Sequence, residues 1–297
     1  MQHRLARHAT ALETISVTVP EPALEAYEAA LGEACGTIGF FLDEATRMWT
    51  VEGVKDQGAF EPELAAALAI AGFVTGQDPV LVRAPTPAEG WLARTRSAFP
   101  EQLVGRRFAI RGTHLTGPPT SGRIVVTLDA GVAFGSGEHG STRGCLRALE
   151  RVAHRRPRRI LDLGTGSGIL AMAAAKLLHR PVLATDIDPW SVRTARDNAR
   201  LNHLHPTMRF LRADGWTSPA LTKAAPYDLV FANILARPLT RMARHLAAAL
   251  APGGTAILAG LLASQVNWVA GAHPLRLERV LVEGQWACLI LRKPGRP

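Results

Sequence analysis

From Arg158 onward the chain alternates short apolar runs with longer amphipathic stretches so regularly that few architectures can accommodate it. Residues 160–163, 182–187, 208–212, 229–234 and 255–259 read as buried strands, and 169–178, 191–201 and 238–250 as helices. Such alternation builds a mostly parallel, doubly wound α/β sheet, whose ligands bind beyond the carboxyl ends of the strands. Two last apolar stretches, 275–282 and 286–291, flank Glu283-Gly284-Gln285 and read as an antiparallel hairpin that ends the sheet.

Upstream lie a strand at 123–128, the loop DAGVAFGSGEHGST and a helix from about Thr142 to Ala153. The front of the chain has a different order: strand 14–19, a helix from Pro22, strands 38–42 and 48–54, a helix from Pro62 and strand 80–83. That is the split βαβ order of a ferredoxin-like domain. Between the two patterns, Pro85, Pro87 and Pro100 surround WLARTRSAF, which reads as a linker with a short helix. The expected organisation is a small ferredoxin-like α+β domain over 1–84, a linker over 85–112 and a Rossmann-like α/β domain over 113–297.

Composition narrows the setting. No apolar run approaches the ~18 residues of a membrane span, and MQHRLARHATALE lacks the apolar core of a secretory signal, so the expected location is the cytoplasm. Cys35, Cys145 and Cys288 have no metal-ligand spacing and read as small core residues, with no disulfide framework and no metal site. The net charge of +9 favours an RNA-rich or acidic partner. Lysine occurs only at positions 55, 176, 223 and 293, and 30 of the 34 basic residues are arginine, a bias that coding composition explains equally well.

The chemistry concentrates in ILDLGTGSGILA. A strand delivers Asp162, and Gly164, Gly166 and Gly168 turn tightly into a helix, letting a ligand approach the backbone at the helix N-terminus. The next strand ends at Asp186, 22 residues beyond Gly164, the spacing of a carboxylate that grips ribose hydroxyls. A pyrophosphate-binding turn has the form G-x-G-x-x-G with no carboxylate directly ahead of it, whereas this one is G-x-G-x-G behind Asp162. A negative group there suits a cation. The residues therefore favour S-adenosyl-L-methionine, with its ammonium and sulfonium and no phosphate, over NAD. Asp214, in RADGW, either meets the adenine amino group or is an exposed turn residue ahead of Gly215.

YDLVFANIL places Asn233 at the carboxyl edge of the fourth strand. Its amide can accept a hydrogen bond from the amine that receives a methyl, which makes it the catalytic candidate; the alternative is a cap for the helix at Pro238. Ile234 and Leu235 stand where enzymes that methylate base amines commonly carry Pro-Pro-aromatic, so a flipped base has no stacking platform there. That favours a protein amine as acceptor.

Taken together, AFGSGEHGST, ILDLGTGSGILA, ATDIDPWSVRTARDNARLN, FANILARPL and LAPGGTAILAGLLASQ resemble the methyltransferases that modify protein eleven of the large ribosomal subunit, a class I S-adenosylmethionine-dependent family. The resemblance covers nearly the whole chain. It implies a front domain that recognises the ribosomal protein, free or on the ribosome, and a back domain that trimethylates its α-amino and lysine ε-amino groups. It implies cofactor contacts from Thr142, Gly164, Asp186 and Asn233, with Phe134 packing beside the cofactor; Asp162, Gly166, Gly168 and Asp214 join them on the reading above. Where many relatives read FGTGTHPTT, this chain has Ser136, Glu138, Gly140 and Ser141, so no role for Glu138 or His139 carries over. A monomer with incidental ribosomal RNA contact is expected. An RNA methyltransferase and a non-catalytic cofactor-binding module remain as alternatives.

Overall fold

The computed structural model describes residues 12–35, 37–43, 46–86, 100–129 and 140–295; Phe134, Glu138, His139 and the helix expected at 91–99 lie outside them. The chain divides into two compact units, Met1–Arg94 and Thr95–Pro297.

The first unit holds strands β1 (Leu12–Pro20), β2 (Thr37–Asp43), β3 (Met48–Asp56) and β4 (Val82–Thr86), with helices Leu24–Gly32 and Glu61–Thr75. The sheet order is β2-β3-β1-β4 with antiparallel neighbours throughout. Alternation in β1 buries Ile15, Val17 and Val19 on one face. β4 continues past the expected end through Pro85, which is tolerated because β4 is an edge strand. Four charged side chains tie the sheet to its second helix. Lys55 Nζ lies 2.7 Å from Glu13 Oε1 and 2.6 Å from Glu61 Oε1, and Arg83 Nη2 lies 2.7 Å from Glu61 Oε2. Glu13 and Lys55 are buried, so each needs the other.

The second unit begins with a three-stranded sheet of β5 (Gln102–Val104), β6 (Phe108–Gly112) and β7 (Ile124–Leu128), with β6 antiparallel to β5 and parallel to β7. β5 and β6 occupy sequence read as linker. Every residue of β6 is buried, and Phe108 and Ile110 share a core with Cys145, Leu146 and Leu149 of the helix Gly140–Val152. Its five residues, preceded by two arginines, are too short a run to announce a strand.

The main sheet contains β8 (Ile160–Leu163), β9 (Val182–Asp186), β10 (Met208–Arg212), β11 (Tyr227–Asn233), β12 (Leu250–Leu262), β13 (Arg276–Glu283) and β14 (Trp286–Arg292). Its order is β10-β9-β8-β11-β12-β14-β13. The first five of these pair in parallel, and β14 runs antiparallel to both β12 and β13. The doubly wound sheet and its terminal hairpin are thus as expected. The helix read over 238–250 is two helices, Ala236–Arg241 and Ala243–Ala249, interrupted at Met242; Pro238 sits in the first turn, where its missing N–H costs nothing. Short helices at Pro219–Ala224 and Val266–Ala272 were not expected. Cys145 and Cys288 are core residues, whereas Cys35 is only half-buried. Among the described residues no helix is long and apolar enough to cross a membrane.

Hydrogen bonding from Lys55 holds the Glu13 carboxyl below its ordinary range. A carboxyl held low in the folded state adds stability above its unfolded value of ~4.3 and loses it as pH falls through the lower folded value. Glu13→Gln should therefore lower the unfolding midpoint of the first unit near neutral pH, and the deficit should shrink below about pH 4, read by calorimetry across that range.

Candidate active site

The parallel register brings the ends of β8, β9, β10 and β11 to one edge of the main sheet. The turn after β8 passes through three left-handed residues, Gly164 (φ +73°), Gly166 (+52°) and Gly168 (+83°). At Gly164 a Cβ would collide with Cγ2 of Ile234, the residue after β11, and at Gly168 it would come within 3.0 Å of Ala195 Cβ on the helix Pro189–Leu201. Glycine is needed at both positions for conformation and for space.

Four amides of this turn are occupied within the protein. Gly164 and Thr165 both donate to the Thr185 carbonyl (2.8 and 2.9 Å), Gly168 to the Thr165 carbonyl (2.8 Å) and Gly166 to Asp186 Oδ2 (2.9 Å). A phosphate cradle needs such amides free, so the turn as built fits a ligand recognised by side chains instead.

Those side chains are carboxylates and an amide. Asp162, 1% exposed in β8, accepts at Oδ2 from Thr165 Oγ1 (2.7 Å) and Ala171 N (3.1 Å), while its Oδ1 is buried with no partner. Burial pushes its carboxyl up to about 7, against the pull of those two hydrogen bonds and with a further push from Asp186. Asp186 ends β9, accepts from Gly166 N and from Asp188 N (3.1 Å), and is also raised by burial. Beside it Ile187 and Trp190 are exposed apolar surface.

Asn233 closes β11. Its Nδ2 donates to Oγ1 of the fully buried Thr142 (3.4 Å), and its Oδ1 is buried without a partner. The helix that follows is capped at Leu235 with no side-chain bond, so Asn233 does not serve as its cap. The structure therefore gathers Thr142, Asp162, Gly164, Gly166, Gly168, Asp186 and Asn233. Asp214 lies at the same edge but is exposed, and no hydrogen bond joins it to the others. Trp216, two residues on, was not singled out from the sequence; its Nε1 is buried without a partner, and its ring lies 6.2 Å from that of Tyr227 at the start of β11.

Asn198 and Asn202 were also missed. Asn198 Nδ2 donates to the Ser167 carbonyl (2.9 Å) in the glycine turn, and its Oδ1 accepts from Asp129 N (2.9 Å). Asn202 accepts from Thr127 N (2.9 Å) and donates to the Thr127 carbonyl (2.6 Å), satisfying both backbone groups of one β7 residue as a neighbouring strand would. Asn198 inside an Arg- and Ala-rich helix was the available signal, since asparagine disfavours helix interiors unless its amide is used; Asn202 is the C-cap of that helix, where the residue type gives no such warning.

A doubly wound sheet with carboxylates at the ends of β8 and β9 and an amide closing β11 defines a class I methyltransferase domain. The family model described as "Ribosomal protein L11 methyltransferase (PrmA)" matches residues 15–294. The ribosomal protein L11 methyltransferase of Rhizobium meliloti (strain 1021) is 43% identical over 258 residues, 85% of this chain and 87% of the relative. That of Rhizobium leguminosarum bv. trifolii (strain WSM2304) is 38% identical over 286 residues, 95% of this chain and 97% of the relative. Among solved structures, the ribosomal protein L11 methylase of Lactobacillus delbrueckii subsp. bulgaricus matches with a TM-score of 0.58 and 31% identity over 64% of this chain and 96% of that one. The chain belongs to the ribosomal protein L11 methyltransferase family.

Asn198→Leu would leave the Ser167 carbonyl and the Asp129 amide unpaired, each at about 1–3 kcal/mol when buried. The variant should unfold at lower denaturant concentration, with an unchanged denaturant slope if the native fold persists.

Proposed function

We propose that this protein is an S-adenosylmethionine-dependent N-methyltransferase whose substrate is ribosomal protein L11. Family membership supports the reaction class and the substrate. The observation that carries the assignment to this edge is the pairing of Thr142 with Asn233, which leaves one amide oxygen buried and unpartnered at the end of β11.

The residues fit the cofactor. A ligand with an ammonium and a sulfonium gains from the orphaned oxygen of Asp162, and its ribose hydroxyls can donate to Asp186, whose two oxygens each already hold one backbone amide and retain a lone pair. Gly164, Gly166 and Gly168 shape the pocket, and Asp214 meets the adenine edge. When bound, S-adenosylmethionine supplies a methyl activated on sulfonium, which a neutral amine displaces in line. Asn233 accepts a hydrogen bond from that amine and thereby aims its lone pair, while Thr142 fixes the orientation of the Asn233 amide.

The acceptors are the α-amino and lysine ε-amino groups of L11, carried to the trimethylated state. Deprotonating an α-amine near pKa ~7.8 costs about 1 kcal/mol at pH 7, against about 4.6 kcal/mol for a lysine near ~10.4, so the N-terminus is the easier target. Residues 1–84 form the ferredoxin-like domain that recognises L11, the linker that follows ends ahead of β5, and the methyltransferase domain takes in β5 and β6 and runs on to residue 297; the protein acts as a cytoplasmic monomer on L11, free or ribosome-bound, with incidental ribosomal RNA contact.

Incubation with labelled S-adenosylmethionine and ribosomal components from a strain lacking the enzyme should add mass to L11 in steps of one methyl. Asn233→Ala should cut the rate by about a hundredfold or more while changing donor affinity far less, as expected for lost positioning. Label found only in RNA would overturn the substrate. Transfer to an α-amine should level off above about pH 8, whereas transfer to a lysine should keep rising. Because a cation favours ionised Asp162, donor affinity should rise through about pH 7 and then level, with net proton release seen as a buffer-dependent binding enthalpy; Asp162→Asn should abolish the release.

A further inference from the structure

The edge of the main sheet opposite the site carries a different chemistry. There the parallel strands begin: Ile160, Val182, Met208, Leu229 and Thr255 are in register, and β14 returns to the same edge at Arg292, opposite Thr255 and Arg276. Two of these strand starts, those of β8 and β9, are preceded by arginine, and β13 opens on one. Arg156, Arg158 and Arg159 precede β8, Arg180 precedes β9 and Arg276 opens β13, all exposed. At an interstrand spacing of ~4.8 Å the row from β9 to β13 spans roughly 25 Å. At its centre a cavity of about 250 Å³ is lined by Arg155, Arg156 and Arg158 together with Gly253, Gly254 and Thr255.

The carboxylates at this edge do not neutralise it. Asp228, which also lines the cavity, accepts at Oδ2 from the backbone amides of Arg158 and Arg159 (2.8 and 2.9 Å), leaving both guanidinium groups to solvent. Glu278 is shared among Arg155, Arg276 and Arg292 at 2.6, 3.2 and 3.7 Å, one carboxylate for three cations.

We propose that this arginine edge binds an RNA backbone. Guanidinium groups present paired donors that match phosphate oxygens two at a time, and several of them exposed along one edge can engage more than one phosphate. The edge faces away from Asn233, so RNA bound there leaves the methyl-transfer site open, and the net charge of +9 draws in a polyanion. The choice of RNA over an acidic protein surface rests on the reading of L11 as substrate, because a ribosomal protein is assembled onto RNA.

The test is a titration of a fluorescein-labelled RNA stem-loop at several salt concentrations, with no methyl donor or L11 present. Its failure would therefore leave the methyltransferase reading untouched. Arg158→Glu/Arg159→Glu should weaken binding about tenfold or more near 0.1 M salt and flatten the log affinity against log salt slope by about 2, roughly one for each phosphate no longer engaged. Arg241→Glu/Arg244→Glu, an equal charge change on the helices after β11, should do neither, and both variants should retain wild-type melting behaviour and methylate free L11. Equal losses in the two variants, or an unchanged slope in the first, would overturn the assignment. Displacement of the stem-loop by poly-glutamate as readily as by unlabelled RNA would overturn it in favour of an acidic protein partner.

Discussion

The Thr185 carbonyl accepts from both Gly164 and Thr165, and the geometry of the site follows from that one bifurcated acceptor. It draws the turn after β8 against the end of β9 and brings Gly166 N within reach of the Asp186 carboxylate. The backbone can make this approach only through left-handed residues, and a side chain at the first of them would meet Ile234. Spending the amides on the protein itself has a chemical consequence. A turn of nearly the same shape that kept its amides free would suit phosphate, whereas this one leaves Asp162, Asp186 and Asn233 as the polar groups beside it, a set that suits positive charge and hydroxyl donors.

A second constraint comes from outside the main sheet. Among the described residues β7 pairs with no strand on the side that faces the helices, and three side chains supply what a strand would. Asn202 pairs with both backbone groups of Thr127, Asn198 takes the Asp129 amide, and Lys176 Nζ donates to the Val125 carbonyl (2.6 Å). Asn198 also holds the Ser167 carbonyl, so the strand that leads toward residue 130 and the glycine turn are fixed by the same side chain. Thr142, at the start of the next helix, is thereby on an element packed into the same core as β6 and β7. Rigid support of this kind is what lets a hydrogen bond as long as the one from Asn233 to Thr142 define an orientation.

Much of this was legible because the informative residues are local. Strand, glycine turn and helix follow one another within ILDLGTGSGILA, and the parallel order of the sheet follows from alternation alone, so Asp162, Asp186 and Asn233 could be placed at one edge without coordinates. Three features were not legible for a shared reason: each depends on contacts distant in sequence. β5 and β6 are strands only because β7 and the helix Gly140–Val152 cover them. Lys55 finds Glu13 across a strand pair and Glu61 on a helix. Asn198 and Asn202 read as surface positions of an Arg-rich helix until Thr127 and Asp129 are seen beneath them. The spacing of Asp214 was readable, but its exposure was not, because a turn residue after a strand looks the same whether or not it faces its neighbours.

The unpartnered buried atoms give the site its direction. Asp162 Oδ1 and Asn233 Oδ1 both belong to the carboxyl edge of the sheet. A buried polar group left unpaired costs about 1–3 kcal/mol, and two on one edge are a sizeable share of the margin by which a domain is stable. The helix asparagines show that this chain satisfies buried amides where only structure is at stake. The proposed reaction would supply both missing partners: a cationic donor for the Asp162 carboxylate, and for the Asn233 amide the N–H of the amine that takes the methyl.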